Sequence, residues 1–294
     1  MTFEQVANPL LGPSAQRPNL LTNGGFEIWQ RGNGPYTTNG AWTADAWQLT
    51  LDGTDTLSVQ KDSGSADGVG LGALCAYTHG TGTLTRLIHQ FHINTEFPNL
   101  LGKTVTFSVR VKTSTANAVR LGANLYVGSN NFVYGNYHSG GGTFETLTLT
   151  VTLATNLAYF QPGIFFSTSC SASLDNAMLV VGAQPADYVP MHPADDLARC
   201  LRYYELIVQD NEWMHFGSGS GVITSYLTTP YKAIKPITPT VTKVGSFAVT
   251  NCGQPTCDVS GRWGFRSNLA SLGAGVFYTT TSSPSAYWTS EANP

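Results

Sequence analysis

Apolar and polar residues alternate along two segments in the middle of the chain. In Thr104–Val111 and in Thr146–Leu153, every second residue is Val, Phe or Leu, and the residues between them are Thr, Ser or Arg. Because the side chains of a β-strand point alternately to opposite faces, this pattern predicts two strands, each with one buried and one solvated face. Such strands are typical of antiparallel sheets.

Further runs of β-branched and aromatic residues, separated by Gly, Asn and Ser clusters, surround these two segments. Runs of this composition predict strands, and they occur at Thr56–Val59, Ala73–Tyr77, Leu84–Phe91, Val119–Tyr126 and Tyr159–Phe166. No helical periodicity separates them. The pattern therefore predicts a jelly-roll β-sandwich of about eight antiparallel strands.

The period changes at Pro193–Glu205. There Leu197, Cys200, Leu201 and Tyr204 fall on one stripe of a helix, and two Asp residues near its N-terminus complement the helix dipole. The segment is predicted to be one short amphipathic helix. Strand-like runs return after it and continue to the end of the chain.

The predicted fold class is all-β, and the chain is divided into four parts. Residues 1–17 form an extended N-terminal arm, since this polar, proline-containing segment cannot fold alone. Residues 18–190 form the jelly-roll, and residues 191–205 form a helical joint. Residues 206–294 form a second, smaller antiparallel β-sandwich domain.

Composition limits the classes of partner. Only 11% of the 294 residues are charged, against about 25% in typical globular proteins, and 31 residues are glycine. A net charge of −3 provides no broad positive field for phosphate groups, so nucleic acid is not an expected partner. The sequence has neither a run of about 20 apolar residues nor a basic leader, so membrane insertion and a secretory signal are not expected.

The five cysteines are odd in number and widely spaced, which predicts no disulfide framework. Cys252 and Cys257 flank a Gly-Gln-Pro-Thr segment and can close a small loop in an oxidising environment. Free thiols in a reducing cytosol are the alternative. Zinc is not expected, because the pair has no second Cys-x-x-Cys or His pair nearby.

No pattern of catalytic residues is recognisable. Glycoside hydrolysis needs two acids across a cleft, and a nucleophilic triad needs a nucleophile, a base and an orienting group. The Asp residues of segments such as Leu51–Asp55 have the setting of turn residues, and GxSxG, P-loop and HExxH motifs are absent from the sequence. The chain is predicted not to be an enzyme.

Three segments carry a family resemblance. NLLTNGGFEIWQRG (residues 19–32) and WTADAWQL (residues 42–49) open the predicted jelly-roll, and PADYVPMHPADDLARCLRYYE (residues 185–205) closes it. In order and spacing they resemble bacteriophage tail-fibre and virion-surface proteins whose jelly-roll is similar to carbohydrate-binding modules. The resemblance implies a structural virion protein, assembled in the host cytoplasm, homotrimeric and in contact with other virion proteins.

Host-surface attachment through a bound glycan is the function that the resemblance implies. Two alternatives remain open. One is a decoration protein of the capsid or tail with a purely structural role, and the other is a polysaccharide depolymerase. Position on the tail, the baseplate or the capsid is also open.

Glu27 and Asp175 are the candidate metal ligands. In carbohydrate-binding modules that resemble this chain, the acid of the opening strand and the Asp of the closing strand share a structural calcium. Carboxylate and carbonyl oxygens are the ligands that Ca²⁺ prefers. The alternative is that Asp175 caps a turn with Asn176 while Glu27 is exposed. No other cofactor is expected.

Tryptophans near the N-terminus are candidates for stacking against a sugar ring. Trp29 and Trp47 are expected to pack in the core, which is the commoner position for this residue. Trp42 lies between Gly40 and Thr43 in a predicted loop and is expected to be exposed.

A second candidate glycan site is the predicted glycine-rich loop Gly128–Gly142. It combines Tyr134, Asn136, Tyr137 and His138, and aromatic rings with amide partners are the composition of a sugar site. A hairpin tip or a subunit contact is the alternative for the same loop.

Overall fold

The computed structural model describes residues 17–63, 71–90, 93–94, 96–208, 216–280 and 286–293. The chain divides into two units. The first comprises Met1–Trp29 and Asn33–Met191, and the second comprises Gln30–Gly32 and His192–Pro294. Of the predicted arm, residues 1–17, all but the last residue lies outside the described residues, so the arm stays a prediction.

The first unit is a sandwich of two five-stranded antiparallel sheets. Its strands are β1 (Trp47–Thr50), β2 (Thr56–Asp62), β3 (Gly72–Thr78), β4 (Arg86–His89), β5 (Thr104–Lys112), β6 (Val119–Tyr126), β7 (Phe132–Tyr137), β8 (Phe144–Thr152), β9 (Tyr159–Phe166) and β10 (Cys170–Val181). The first sheet has the order β2-β3-β10-β5-β8, and the second sheet has the order β1-β4-β9-β6-β7. The predicted all-β fold with a jelly-roll sandwich is confirmed.

Alternation of side chains builds the core of this sandwich. On β5, Val105, Phe107 and Val109 are buried, and on the neighbouring β8 the same holds for Leu147 and Leu149. The Thr residues between the leucines of β8 are exposed. Strand β8 therefore has the predicted buried and solvated faces.

The middle of the outer face of β5 is covered, which differs from the predicted solvated face. Thr106 and Ser108 are both buried there. The chain that follows β10 crosses this face, where the Thr106 hydroxyl donates a hydrogen bond of 2.7 Å to the carbonyl of Gly182. Tyr188 lines the same small hollow as Ser108. A segment distant in sequence thus replaces water on this face.

The second unit contains one helix and three small antiparallel sheets among its described residues. Its elements are α1 (Pro193–Leu201), β11 (Tyr204–Val208), β12 (Phe216–Gly219), β13 (Thr224–Pro230), β14 (Thr240–Val244), β15 (Ala248–Thr250), β16 (Thr256–Ser260), β17 (Gly264–Ala270), β18 (Gly275–Thr280) and β19 (Tyr287–Glu291). The sheets have the orders β11-β19-β14, β12-β18-β15 and β13-β17-β16. The strands are antiparallel, as predicted.

Helix α1 coincides with the predicted helical segment but ends at Leu201. The predicted apolar side of this helix is only partly correct, because Cys200 is buried whereas Leu197 is exposed. Tyr204 begins β11 and does not belong to the helix. Across the described ranges, the structure holds no helix of the length and apolarity that crossing a bilayer requires.

In the described part of the second unit, two apolar clusters form the interior. One contains Tyr231, Phe247, Phe265, Ala286 and Trp288, and the other contains Cys252, Leu269 and Phe277. The Trp288 ring is central to the larger cluster, with ring centroids at 5.2 Å to Phe265 and 6.1 Å to Phe247. All five cysteines of the chain are free thiols, so Cys252 and Cys257 are not joined.

Candidate functional site

The outer face of the second sheet contains a row of residues that crosses every strand. Successive Cα partners in this row are Trp42, Gln48, Ile88, Gly163, Gly122 and Tyr134. Directly paired residues of antiparallel strands present their side chains to the same face. Trp42 and Tyr134 therefore lie on one face at opposite edges, five strand spacings or roughly 24 Å apart.

Neighbouring rows make this face rich in aromatic and amide side chains. On β6, Val119, Leu121 and Leu125 point into the core, so the intervening residues point outward. We define the aromatic face as the side chains of Trp42, Gln48, Arg86, Arg120, Asn124, Tyr126, Phe132, Tyr134, Tyr137, Tyr159, Gln161 and Phe165.

A β-bulge places two tyrosines on the aromatic face. Tyr134 pairs with Gly122 and Tyr137 pairs with Arg120, so β7 has one residue more than β6 between these pairs. Without the extra residue, side chains three positions apart would point to opposite faces. The Arg120 guanidinium lies over both rings, 3.7 Å from the centroid of Tyr134 and 4.7 Å from that of Tyr137.

Phe165 forms the base of the aromatic face. It is only 2% exposed but lies outside the main core cluster of the sandwich. Its ring is perpendicular to Tyr134, with centroids 5.2 Å apart, and Arg86 lies 5.5 Å from its centroid. Burial lowers the pKa of Arg86, while Tyr134 and Asp52 oppose this shift. Arginine remains protonated in proteins, so the face keeps this positive charge.

The rows at the Tyr126 end of β6 combine stacked rings with amides. Tyr126 and Tyr159 are partly exposed and stack with centroids 4.3 Å apart at an interplanar angle of 8°. The Asn124 amide donates to Asn130 at 2.9 Å and to the Gln161 side chain at 3.4 Å. Rings and amides on rigid strands can hold a ligand with both apolar and hydroxyl-bearing faces.

Gly122 has no side chain, and the rings of Phe165 and Tyr134 occupy the space beside it. A Cβ at this position would lie 2.6 Å from the Phe165 ring and 2.9 Å from the Tyr134 ring. We expect Gly122→Val to displace these rings and to lower the free energy of unfolding of the first unit by about 1–3 kcal/mol, as overpacking does. Urea unfolding measures the loss. Gly141→Val is the control, because a Cβ there meets other atoms only at 3.5 Å or more. An equal loss in both variants would contradict the close packing over Gly122.

The structure brings three of the predicted glycan-site residues onto the aromatic face. Tyr134 and Tyr137 lie at one edge and Trp42 at the other. Asn136 is exposed at the bulge. The predicted loop is corrected, because its centre is strand β7.

His138 is also corrected as a surface residue, since it is 0% exposed. Its Nε2 lies 3.0 Å from the carbonyl oxygen of Val111, and its Nδ1 accepts from the backbone N–H of Gly140 at 2.9 Å. The ring thus holds the turn after β7 and is closed to a surface ligand. Trp29 and Trp47 are buried, as expected.

Sequence reasoning missed most residues of the aromatic face. They are Arg86, Arg120, Asn124, Tyr126, Phe132, Tyr159, Gln161 and Phe165, together with Gln48. A signal was present in Val119–Tyr126, where Arg, Gly, Asn and Tyr alternate with core residues. A solvated strand face with an aromatic residue and an amide is a candidate binding surface.

Glu27 and Asp175 each have a backbone partner. Glu27 Oε1 accepts from the N–H of Leu71 at 3.0 Å, and Asp175 Oδ1 accepts from the N–H of Asn176 at 2.7 Å. Within the part of the chain that the structure describes, no three His, Cys, Asp or Glu residues form a group suited to a metal ion. The calcium site stays a prediction.

Comparisons with known proteins found only distant similarity. No family model and no curated protein matches the chain. Among solved structures, the enzymatically active domain of bacteriophage CBA120 tailspike protein 4 has 15% identity and a TM-score of 0.41, over 56% of this chain and 21% of that one. The match thus spans about a fifth of the tailspike chain.

Two further structures cover a similar share of the chain. The CBM22-1 xylan-binding domain from Paenibacillus barcinonensis Xyn10C has 11% identity and a TM-score of 0.38, over 51% of this chain and 95% of that one. A putative sugar binding protein from Bacteroides thetaiotaomicron VPI-5482 has 11% identity and a TM-score of 0.40, over 56% of this chain and 100% of that one. Similarity at this level assigns neither a ligand nor a role to the chain.

Proposed function

We propose that the protein binds a glycan on the aromatic face of its first unit and that it attaches a bacteriophage particle to its host surface. The observation that carries the proposal is the combination of partly exposed rings with amides on one sheet face. The C–H face of a sugar ring packs on an aromatic ring, and its hydroxyls pair with amides. Strands hold these groups in fixed positions before the ligand arrives, which lowers the entropy cost of binding.

Binding without cleavage fits the chemistry of this face. The residues that define the aromatic face include two arginines and no Asp or Glu. Glycoside hydrolysis in most families needs a pair of carboxyl groups flanking the bond that is cleaved. The face therefore supports holding a glycan rather than depolymerising it.

The virion role is supported by the sequence resemblance to tail-fibre and virion-surface proteins. A glycan-binding face is suited to the first contact between a particle and a bacterial surface. Particles that lack this protein should then adsorb poorly to host cells. Normal adsorption by such particles would remove the attachment role and favour the structural decoration role.

The glycan proposal is tested with an array of neutral and acidic bacterial polysaccharides and xylo-oligosaccharides, followed by calorimetric titration of any ligand found. The double variant Tyr126→Ala/Tyr159→Ala removes the stacked pair. Because an aromatic contact contributes about 0.5–1.5 kcal/mol beyond its area, we expect the dissociation constant to rise roughly 5-fold to 100-fold.

Phe144→Ala is the matched control for the double variant Tyr126→Ala/Tyr159→Ala. Phe144 is a partly buried aromatic residue of β8 in the first sheet, with Arg110 located 5.7 Å from its ring centroid. Its loss should leave the affinity for the glycan unchanged. Failure of the wild-type protein to bind any glycan of the array, or an equal loss of affinity in both variants, would contradict the proposal.

A further inference from the structure

Exposed apolar side chains are concentrated in the second unit. Among the described residues, seven large apolar side chains are more than half exposed, and all seven belong to this unit: Phe216, Val222, Tyr226, Val259, Trp263, Leu272 and Val276. The most exposed such residue of the first unit is Val181, at 44%. Soluble monomers rarely present large contiguous apolar patches, so the concentration indicates a contact surface.

Five of these side chains follow the outer face of the sheet β13-β17-β16. We define the apolar stripe as Val222, Tyr226, Val259, Trp263 and Leu272. In β13 every second residue is exposed, and Tyr226 is among them. Val222 precedes and Leu272 follows the hydrogen-bonded pair Ile223 and Ser271, which extends the pairing of β13 with β17.

The stripe extends from one end of the sheet to the other, with Thr228 and the Arg266–Asp258 ion pair between Tyr226 and the Pro230 end. The distance from Val222 to Pro230 is roughly 26 Å at about 3.3 Å per residue. At the Pro230 end, Val259 and Trp263 line a hollow of about 520 Å³. The neighbouring sheet β12-β18-β15 adjoins β13, since Ser225 donates to the carbonyl of Phe216 at 3.3 Å.

The exposed area is of the size that a stable interface needs. A buried aromatic side chain contributes roughly 150–250 Å², and three of the seven exposed side chains are aromatic. The apolar stripe together with Phe216 and Val276 of the adjoining sheet therefore approaches the roughly 800 Å² per partner of a standard interface.

Polar groups on the same face are bonded to one another. Arg266 forms an ion pair with Asp258 at 2.8 Å, and its guanidinium lies 4.7 Å from the Tyr226 ring centroid. The Thr256 hydroxyl donates to the Asn268 side chain at 2.5 Å. These bonds lower the cost of covering the face with an apolar protein partner.

We propose that the apolar stripe is the surface through which further copies of this chain associate. A second copy presents the same apolar face, and a net charge of −3 creates little repulsion between copies. The hollow beside Trp263 can receive a side chain of the partner. Association would enlarge the apolar interior of the second unit, whose described residues form two small clusters.

Light scattering coupled to size-exclusion chromatography tests this proposal on the full chain. Wild-type protein at micromolar concentration is expected to have the mass of two or more chains. The triple variant Tyr226→Ser/Trp263→Ser/Leu272→Ser should raise the dissociation constant at least about 100-fold, because central aromatic anchors dominate interface energies. Val127→Ser/Val181→Ser/Val189→Ser changes three exposed residues of the first unit and should leave the mass unchanged.

A second variant keeps the test decisive if the triple variant fails to show the circular-dichroism spectrum of a folded protein. Thr228→Lys adds a charge at an exposed position of β13 and removes no buried side chain. It should also dissociate the oligomer, because an unpaired charge would be buried at the interface. A monomeric wild-type chain, or a Thr228→Lys variant that keeps the wild-type mass, would overturn the proposal.

Discussion

Lys235→Met is expected to lower the free energy of unfolding of the second unit by about 3–5 kcal/mol, the cost of breaking a buried ion pair. The Lys235 ammonium lies 3.0 Å from Glu205 Oε2, and the two side chains are 0% and 1% exposed. Nζ also donates to the carbonyl of Leu201, and it lies 4.8 Å from the Tyr231 ring centroid. Removal of the ammonium leaves the Glu205 carboxylate buried without its counter-charge.

Lys232→Met is the matched control for this prediction. The Lys232 side chain is exposed, while its backbone N–H donates to Glu205 at 3.1 Å and is retained in the variant. Its effect should stay within about 0.5 kcal/mol, as for most surface substitutions. Native-state hydrogen exchange of amides in β17 and β19 measures both variants.

The double variant Glu205→Gln/Lys235→Met separates the charge from the packing. Gln has the shape of Glu without the charge, so the double variant should recover at least half of the loss caused by Lys235→Met alone. If Lys235→Met costs no more than Lys232→Met, the buried pair does not stabilise the unit as argued.

The burial of Lys235 shows where prediction from sequence ends. The segment from Tyr231 to Pro239 contains two lysines and two prolines, a composition typical of an exposed connection. The carboxylate of Glu205, 30 residues earlier, supplies the counter-charge that makes burial of one lysine tolerable. A single sequence does not show which of the two lysines it pairs with.

The buried and exposed faces of a strand could be predicted from its sequence where no distant segment covers the outer face. In β8 the alternation of Leu and Thr corresponds to buried and exposed positions throughout Thr146–Thr150. In β5 the same pattern predicted a solvated outer face, but the segment after β10 covers Thr106 and Ser108. Local periodicity carries no information about a distant segment that crosses the sheet.

The candidate site was predictable in its composition and not in its geometry. The residue types of Tyr134 and Tyr137 indicated a sugar site, yet their spacing places them on opposite faces of a regular strand. A bulge brings both rings to Arg120. Pairing with β6 decides where the extra residue lies, and that pairing is not visible in β7 alone.

Asp55→Ala is expected to lower the free energy of unfolding of the first unit by about 3–5 kcal/mol, because three of its donors are buried and each loses its acceptor at a cost of at least about 1 kcal/mol. Asp55 is buried and accepts four hydrogen bonds. Its Oδ2 accepts from the hydroxyls of Tyr77 at 2.6 Å and Thr85 at 2.7 Å. Its Oδ1 accepts from the backbone N–H groups of Gly80 at 2.7 Å and Gly82 at 3.0 Å.

The same four bonds make the stability of the first unit depend on pH. Burial alone raises the pKa of Asp55, but the four donors outweigh burial and hold the pKa at about 2, below its ordinary value of 3.8. A carboxyl with a lowered pKa in the folded state stabilises that state above its unfolded pKa. Its contribution of about 2 kcal/mol is therefore present above about pH 4 and is lost as the pH falls towards about 2.

Asp55→Asn isolates this pH dependence, because it removes the charge and keeps the shape. Hydrogen exchange of amides in β5 and β10, followed from pH 6 to pH 2.5, should show a smaller acid-induced loss of stability in the variant than in the wild type. Asp187→Asn removes an exposed carboxylate of the same unit and should retain the wild-type profile. Identical acid profiles for Asp55→Asn and the wild type would show that the acid sensitivity arises elsewhere. In that case the bonds of Asp55 hold the turn between β3 and β4 without contributing to the response to acid.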